Sequence, residues 1–349
     1  MKSAKDIATA IFICDASTKM GTGHVRRCEL LAKQLAISGL GIKFLYQEMP
    51  EFWIDRLKQD GFQTECLSNN SKAEIISILK NVSDRNNKQS IVIVDSYDPS
   101  LHNLDFQNKI VGLGLKLMYF IFKTANSYKA HLMLNQNILA TSFNYDVEDY
   151  TDLMLGTQYV LLKDEYRQIQ KEIKPYALKD EVLLLFFGGS DPFGRTLQIL
   201  KLLTFAKFEK IYVVTGKLNK DNLGIKELIK EIENAELYIE TEKLAELMGQ
   251  AKYSINSGGL CLWELAVSNC LQIVIPNSPI EKETSEYCQE NNYIHLLDEN
   301  TSFANQMEII EKALKDDANK EKVERFRNAV AVDGLQKVTD KILNLIGEN

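Results

Sequence analysis

The strongest constraint on this chain is a twice-repeated alternation of short apolar runs with amphipathic stretches. In the first series the runs 8–14, 42–46, 62–67, 91–94, 116–122 and 132–135 read as strands. Between them, 25–38 reads as a helix ended by Gly39, 53–60 as a helix stopped by Gly61, and 72–82 as a third. The second series begins at Glu181. Its strand-like runs are 182–187, 211–215, 253–255 and 271–275, with helical stretches at 197–203, 226–234, 243–250 and 260–268 and a long one at 320–346. A run with no polar face must be covered on both sides, and strands that alternate with helices pair in parallel. The pattern predicts an α/β protein of two doubly wound halves in tandem. The length of 349 residues suits two domains of ordinary size. Pro175, in the polar stretch 171–179, marks the expected boundary. It gives an N-terminal domain 1–175 and a C-terminal domain 176–349, with the C-terminal helix free to pack back on the first. Ligands of open α/β sheets bind outside the carboxyl ends of the strands, so the inter-domain cleft is the expected site.

Composition narrows the function. Lys and Arg number 41 against 48 Asp and Glu, a net charge of −7. Binding to nucleic acid needs clustered cations, which this balance does not favour. No apolar run approaches the roughly 18 residues of a membrane span. Lys2 and Lys5 before the first apolar run faintly resemble a signal peptide, but Asp6 interrupts and no small-residue cleavage site follows. That run is read as a buried strand and the protein as cytoplasmic, acting on a small molecule, with a monomer favoured and the oligomeric state left open. The six cysteines and four histidines are scattered, with no Cys-x-x-Cys pair. The spacing indicates neither a disulfide framework nor a metal centre, and no cofactor is expected.

Four segments could carry chemistry. The first runs from Asp15 through Gly21 and Gly23 to His24, Arg27 and Cys28, after the first strand and at the start of the first long helix. Glycines there let a ligand approach the backbone at a helix N-terminus, and a histidine can move a proton near neutral pH. The second is Val94-Asp95-Ser96-Tyr97-Asp98 at a strand's carboxyl end. The third is Gly188-Gly189-Ser190-Asp191, a glycine loop between strand and helix that can cradle a pyrophosphate but is not a Walker loop. The fourth is Asn256-Ser257-Gly258-Gly259, with Glu264 one turn into the following helix, where a carboxylate can accept hydrogen bonds from ribose hydroxyls. Two such loops in one half point to a nucleoside diphosphate.

The strings CDASTKMGTGHVRRCELLAKQL, VIVDSYD, LNQNI, YVLLKDEY, FFGGSDPFGRT and INSGGLCLWELA carry a family resemblance. In order and spacing they resemble the PseG-like UDP-2,4-diacetamido-2,4,6-trideoxy-β-L-altropyranose hydrolases of pseudaminic acid biosynthesis. That family is related to the MurG glycosyltransferases, and the resemblance covers residues 8–300. It implies a GT-B-like fold of two Rossmann-type domains. It also implies metal-independent, inverting hydrolysis of a UDP-sugar at the anomeric carbon with release of UDP. His24 would activate water, with Tyr97 and Asp15 as further catalytic residues. Gly21, Gly23, Arg27, Asp95, Gly188, Gly189, Ser190, Asn256, Gly258, Gly259 and Glu264 would bind the substrate, Glu264 through the ribose. Three positions depart from the family pattern: Ile13 and Cys14 before Asp15, Phe193-Gly194-Arg195 after the third segment, and the residues around 280–282. The rival readings are a GT-B glycosyltransferase using a UDP-sugar donor and a non-catalytic nucleotide-sugar binder.

Overall fold

The computed structural model describes residues 8–17, 22–68, 71–85, 90–123, 126–203, 208–298, 301 and 303–347. It has two compact units, Met1–Leu161 with Asp333–Asn349, and Leu162–Val332.

The first unit opens with β1 (Thr9–Cys14), α1 (Gly23–Ile37), β2 (Gly41–Tyr46), α2 (Glu51–Gln59), β3 (Gln63–Cys66), α3 (Ser71–Arg85), β4 (Ile91–Asp95), α4 (Leu104–Gly112) and β5 (Lys116–Phe120). It continues with β6 (Ser127–Tyr128), β7 (Leu132–Asn135), β8 (Asp146–Val147) and β9 (Asp152–Leu155). Seven strands form a parallel sheet in the order β3-β2-β1-β4-β5-β7-β9, while β6 pairs with β8 apart from it. The apolar run of β1 is explained by its two faces. Ala10, Phe12 and Cys14 pack with α1 residues such as Leu31 and Leu35, whereas Ile11 and Ile13 pack on the other side with Ile75, Leu79, Phe106 and Ile110. Successive side chains point to opposite faces, so a strand covered twice must be apolar throughout.

The second unit runs α5 (Asp164–Glu172), β10 (Val182–Phe186), α6 (Arg195–Leu203), β11 (Lys210–Thr215), α7 (Asn222–Ile229), β12 (Ala235–Ile239), α8 (Leu244–Gln250) and β13 (Tyr253–Asn256). Then come α9 (Cys261–Val267), β14 (Leu271–Val274), α10 (Pro279–Glu290), β15 (His295–Leu296), α11 (Phe303–Leu314) and α12 (Asn319–Asn328). Its six parallel strands lie in the order β12-β11-β10-β13-β14-β15 around a core of Leu183, Leu185, Val213, Ile255 and Ile273. In both sheets the first strand is central and the order reverses beside it. Such a switch point places the loops after the central strands at one edge.

Two sequence expectations change. Pro175 lies inside the second unit, because α5 before it already packs there: Tyr166 is fully buried beside Met248, and Ile169 rests on Gly249. The stretch 320–346 is two helices, α12 in the second unit and α13 (Gly334–Gly347) in the first. Leu335, Val338 and Ile342 of α13 join the core beside α1. At the start of α13 the packing is close: a β-carbon on Gly334 would stand 2.3 Å from the carbonyl oxygen of Val160. Among the described residues no helix is long and apolar enough to cross a membrane.

Candidate functional site

In the first unit, Cys14 of β1 pairs with Asp95 of β4 at the carboxyl edge of the sheet. Because α1 follows β1, its first turn stands over Asp95. His24 and Arg27, three residues apart, share one helix face. His24 Nδ1 lies 2.5 Å from Asp95 Oδ1. Arg27 donates from Nε to Oδ2 and from Nη2 to Oδ1, each at 2.5 Å. The Cys28 thiol is 3.5 Å from Oδ2. The guanidinium also lies 4.8 Å from the centre of the Phe120 ring.

Asp95 is only 2% exposed. Burial alone would raise its pKa, but the charges of Arg27 and His24 outweigh this and hold the carboxyl well below the usual range. An ionised carboxylate only accepts hydrogen bonds, so the proton shared with His24 belongs to Nδ1. Nε2 is left as the nitrogen able to take a proton. Tyr97, 61% exposed, sets its ring edge-on to the imidazole at 4.6 Å between centroids. The loop carrying Tyr97 is fixed by His102, whose Nε2 lies 2.7 Å from the Ser96 carbonyl and whose Nδ1 lies 2.9 Å from the Tyr128 hydroxyl.

The structure thus brings His24, Arg27, Asp95 and Tyr97 together but leaves Asp15 out. Asp15 Oδ1 accepts from the backbone N–H groups of Gln47 and Glu48, at 2.6 and 3.0 Å, and ties two loops together. Arg27, expected to touch substrate, is engaged by Asp95. Gly23 opens α1, and Gly21 lies outside the described residues.

In the second unit, Gly188 turns the chain after β10 at φ +83°. Gly189 lies so close to Gly216 that a β-carbon on Gly216 would stand 2.3 Å from the Gly189 oxygen. Ser190 leads into Asp191, whose carboxylate accepts from Arg195 N at 3.0 Å and Thr196 N at 2.8 Å. The start of α6 therefore already holds an acidic cap.

In the fourth segment Asn256 is fully buried. Its Oδ1 accepts from Gly258 N at 2.8 Å and its Nδ2 donates to Ser254 Oγ and Gln272 Oε1. These bonds shape the turn. Gly258 takes φ +79°, and a β-carbon there would stand 2.6 Å from Val274 Cγ1. Glu264 sits in the first turn of α9 beside the buried Tyr166 hydroxyl. Burial first, and then hydrogen bonding and charge from Glu264, raise that phenol well above its ordinary pKa.

One residue escaped the sequence reading, and another was read there only as part of a departure from the family pattern. Tyr166 stands at the end of the string YVLLKDEY, but only the fold sets it beside Glu264. Glu281, in the departing segment 280–282, lies with Oε1 3.0 Å from where a Gly259 β-carbon would be. At the opposite edge of this sheet, a cavity of about 560 Å³ is lined by Ile169, Ile173, Lys179, Val182, Tyr212 and Gly249. It touches none of the loops above.

No family model matches the chain. An uncharacterized protein of Methanocaldococcus jannaschii is 28% identical over 296 residues, 81% of this chain; the match spans 59% of that relative's length. The UDP-2,4-diacetamido-2,4,6-trideoxy-beta-L-altropyranose hydrolase of Campylobacter jejuni is 26% identical over 254 residues, 71% of this chain and 84% of the hydrolase. MurG of Acinetobacter baumannii superposes with a TM-score of 0.65 at 14% identity, covering 98% of this chain and 100% of MurG. A UDP-glucosyltransferase from Polygonum tinctorium gives 0.69 at 11% identity, covering 99% of each. The fold is that of the GT-B enzymes, and in sequence the chain resembles the UDP-2,4-diacetamido-2,4,6-trideoxy-β-L-altropyranose hydrolases.

Proposed function

We propose that this chain is a nucleotide-sugar hydrolase. It cleaves a UDP-linked 2,4-diacetamido-2,4,6-trideoxyhexose to the free sugar and UDP, in the formation of a nonulosonic (pseudaminic) acid. The observation that carries this reading is the buried contact of His24 Nδ1 with Asp95 Oδ1 at 2.5 Å. It joins two of the segments that carry the resemblance to the hydrolases.

With its Nδ1 proton held by Asp95, His24 accepts a proton at Nε2 from a water molecule. The water oxygen bonds to the anomeric carbon as the bond from that carbon to the phosphate oxygen breaks. The bonding pair leaves with UDP. Direct displacement inverts the anomeric centre, and the proton on His24 then passes to solvent. General-base assistance of this kind contributes about 10²–10⁴-fold. In the second unit, the turn at Gly188–Ser190 and the N–H of Gly259 offer backbone donors to the diphosphate, while Gly258 N stays bonded to Asn256 Oδ1 and holds the second turn in shape. Glu264, oriented by Tyr166, accepts hydrogen bonds from the ribose hydroxyls. Gly23 and Tyr97 border the sugar side, and no metal takes part.

The test is release of UDP from a series of amino-sugar nucleotides in water alone, with and without EDTA. The second reading, a glycosyltransferase, is favoured by the structural neighbours MurG and the UDP-glucosyltransferase. It predicts slow release that rises only when an acceptor is added. Tight UDP binding with no turnover under either condition would leave a binding protein.

A further inference from the structure

Among the acidic groups outside the proposed chemistry, Glu281 has the most unusual setting. It is the third residue of α10, whose N-cap is Ser278. Ser278 Oγ accepts from Glu281 N at 3.2 Å, and Glu281 Oε2 accepts from Asn277 N at 2.7 Å. This is a capping box, in which a helix's third residue reaches back over its start. A capping glutamate ordinarily sits in water. Here its other oxygen, Oε1, closes over the Gly258–Gly259 turn, 3.0 Å from the position of a Gly259 β-carbon.

The groups facing the carboxyl are few. Arg195 comes from α6, but its Nε donates to Asn277 Oδ1 at 3.1 Å. The Cys261 thiol faces it from α9. Lys282 and Glu283 are neighbours on its own helix. No carboxylate–cation bridge to Glu281 is formed among the described residues. Burial pushes its carboxyl up to about 7, against the opposing pull of the Asn277 and Ser278 backbone N–H groups and the Arg195 charge.

The following rests on the reading of the Gly258–Gly259 turn as a diphosphate seat. We infer that Glu281 is a ligand-side residue of that turn, and that it takes up a proton from solvent when the phosphates of a nucleoside diphosphate bind. Two anions a few ångströms apart in a partly buried site cannot both stay ionised at no cost. Once protonated, the carboxyl becomes a hydrogen-bond donor to a phosphate oxygen instead of a repelling charge.

The experiment is calorimetric titration of the full chain with UDP at pH 7.5, in two buffers of different ionisation enthalpy, with Kd followed from pH 6 to 8.5. The parent should take up a proton fraction that Glu281→Gln lacks. Above pH 7 its Kd should rise by up to about tenfold per pH unit, the limit for one linked proton, while that of E281Q stays nearly flat. Glutamine keeps the capping box, so E281Q should fold. Ser278→Ala weakens the cap but keeps the carboxyl, and should retain proton uptake. UDP binding with equal uptake in parent and E281Q overturns the role of Glu281 and leaves the diphosphate seat standing. Loss of uptake in S278A to the same extent as in E281Q also overturns it, because the cap and not the carboxyl would then be responsible. Absence of UDP binding by the parent at every pH overturns the diphosphate reading itself.

Discussion

A histidine that takes a proton from water needs one ring nitrogen bare and the other held, and Asp95 creates that difference between the two. His24→Ala should lower the rate of UDP release by about 10²–10⁴-fold while calorimetry finds the affinity for UDP unchanged. Unchanged turnover would remove His24 from the reaction. Asp95→Asn should act on both rate and stability. It removes the anion between His24 and Arg27 and leaves a guanidinium short of its partner. Breaking such a buried pair costs about 3–5 kcal/mol, to be read from urea unfolding of the two proteins. Glu281 adds a pH dependence. Its folded-state pKa of about 7 lies above the ordinary 4.5. Its contribution to stability is therefore full below pH 4.5 and lost as the pH rises through 7. The melting temperature of the parent relative to E281Q should fall between pH 5 and 8. Of these residues, His24, Asp95 and Tyr97 were legible in the sequence because chemistry-bearing side chains stand where a strand meets a loop. The engagement of Arg27 by Asp95, 68 positions away, was not, since no local pattern encodes a long-range ion pair. The bond of Asn256 to its own turn was not legible for a different reason: an asparagine beside glycines looks the same whether it holds a ligand or its own turn.

Among the elements, the central strands were legible because complete burial leaves them no polar face. Strands β12 and β15 were not. The first carries Glu236 and Tyr238 on a partly exposed edge, and the second is two residues long. Helices α4, α10 and α11 were missed as well, since each mixes charged positions into a short apolar stripe. The loop-bearing ends rest on close contacts that sequence cannot measure. Gly216 is one: alanine there would push its β-carbon into the Gly189 carbonyl. Overpacking of this kind costs about 1–3 kcal/mol. Gly216→Ala should therefore lower the unfolding midpoint and, by moving the Gly188–Ser190 turn, weaken UDP binding. An alanine variant that melts and binds like the parent would count against that turn as a rigid seat. Lys179 plays a related part within the second unit. Its ammonium donates to the carbonyls of Ala251 and Ser268, at 2.6 and 2.7 Å, where α8 and α9 end. A cation at two helix C-termini is favourably placed for both dipoles.

For the whole molecule, the doubly wound architecture was legible from the alternation alone, while the course of the chain between the units was not. Nothing in the stretch 320–346 marks where it leaves one core for the other; that is decided by whether Val323 and Phe326 fit one core and Val338 and Ile342 the other. Deleting residues 333–349 should strip apolar cover from α1 and β1. Hydrogen exchange should then show lost protection in β1, β2 and α1, with β10, β11 and β13 protected as before. Uniform loss across both sheets would mean that the two cores do not unfold separately.

That return of α13 also orders events during synthesis. The second unit is an insertion, in sequence, between the two parts of the first. All of residues 162–332 leave the ribosome before α13 does, and domains generally fold as units while the chain emerges. The first sheet must therefore wait with the α1 face of its core uncovered, while the unit that began later finishes first. A truncation between residue 332 and α13 would release a chain with one finished half and one half open to chaperones.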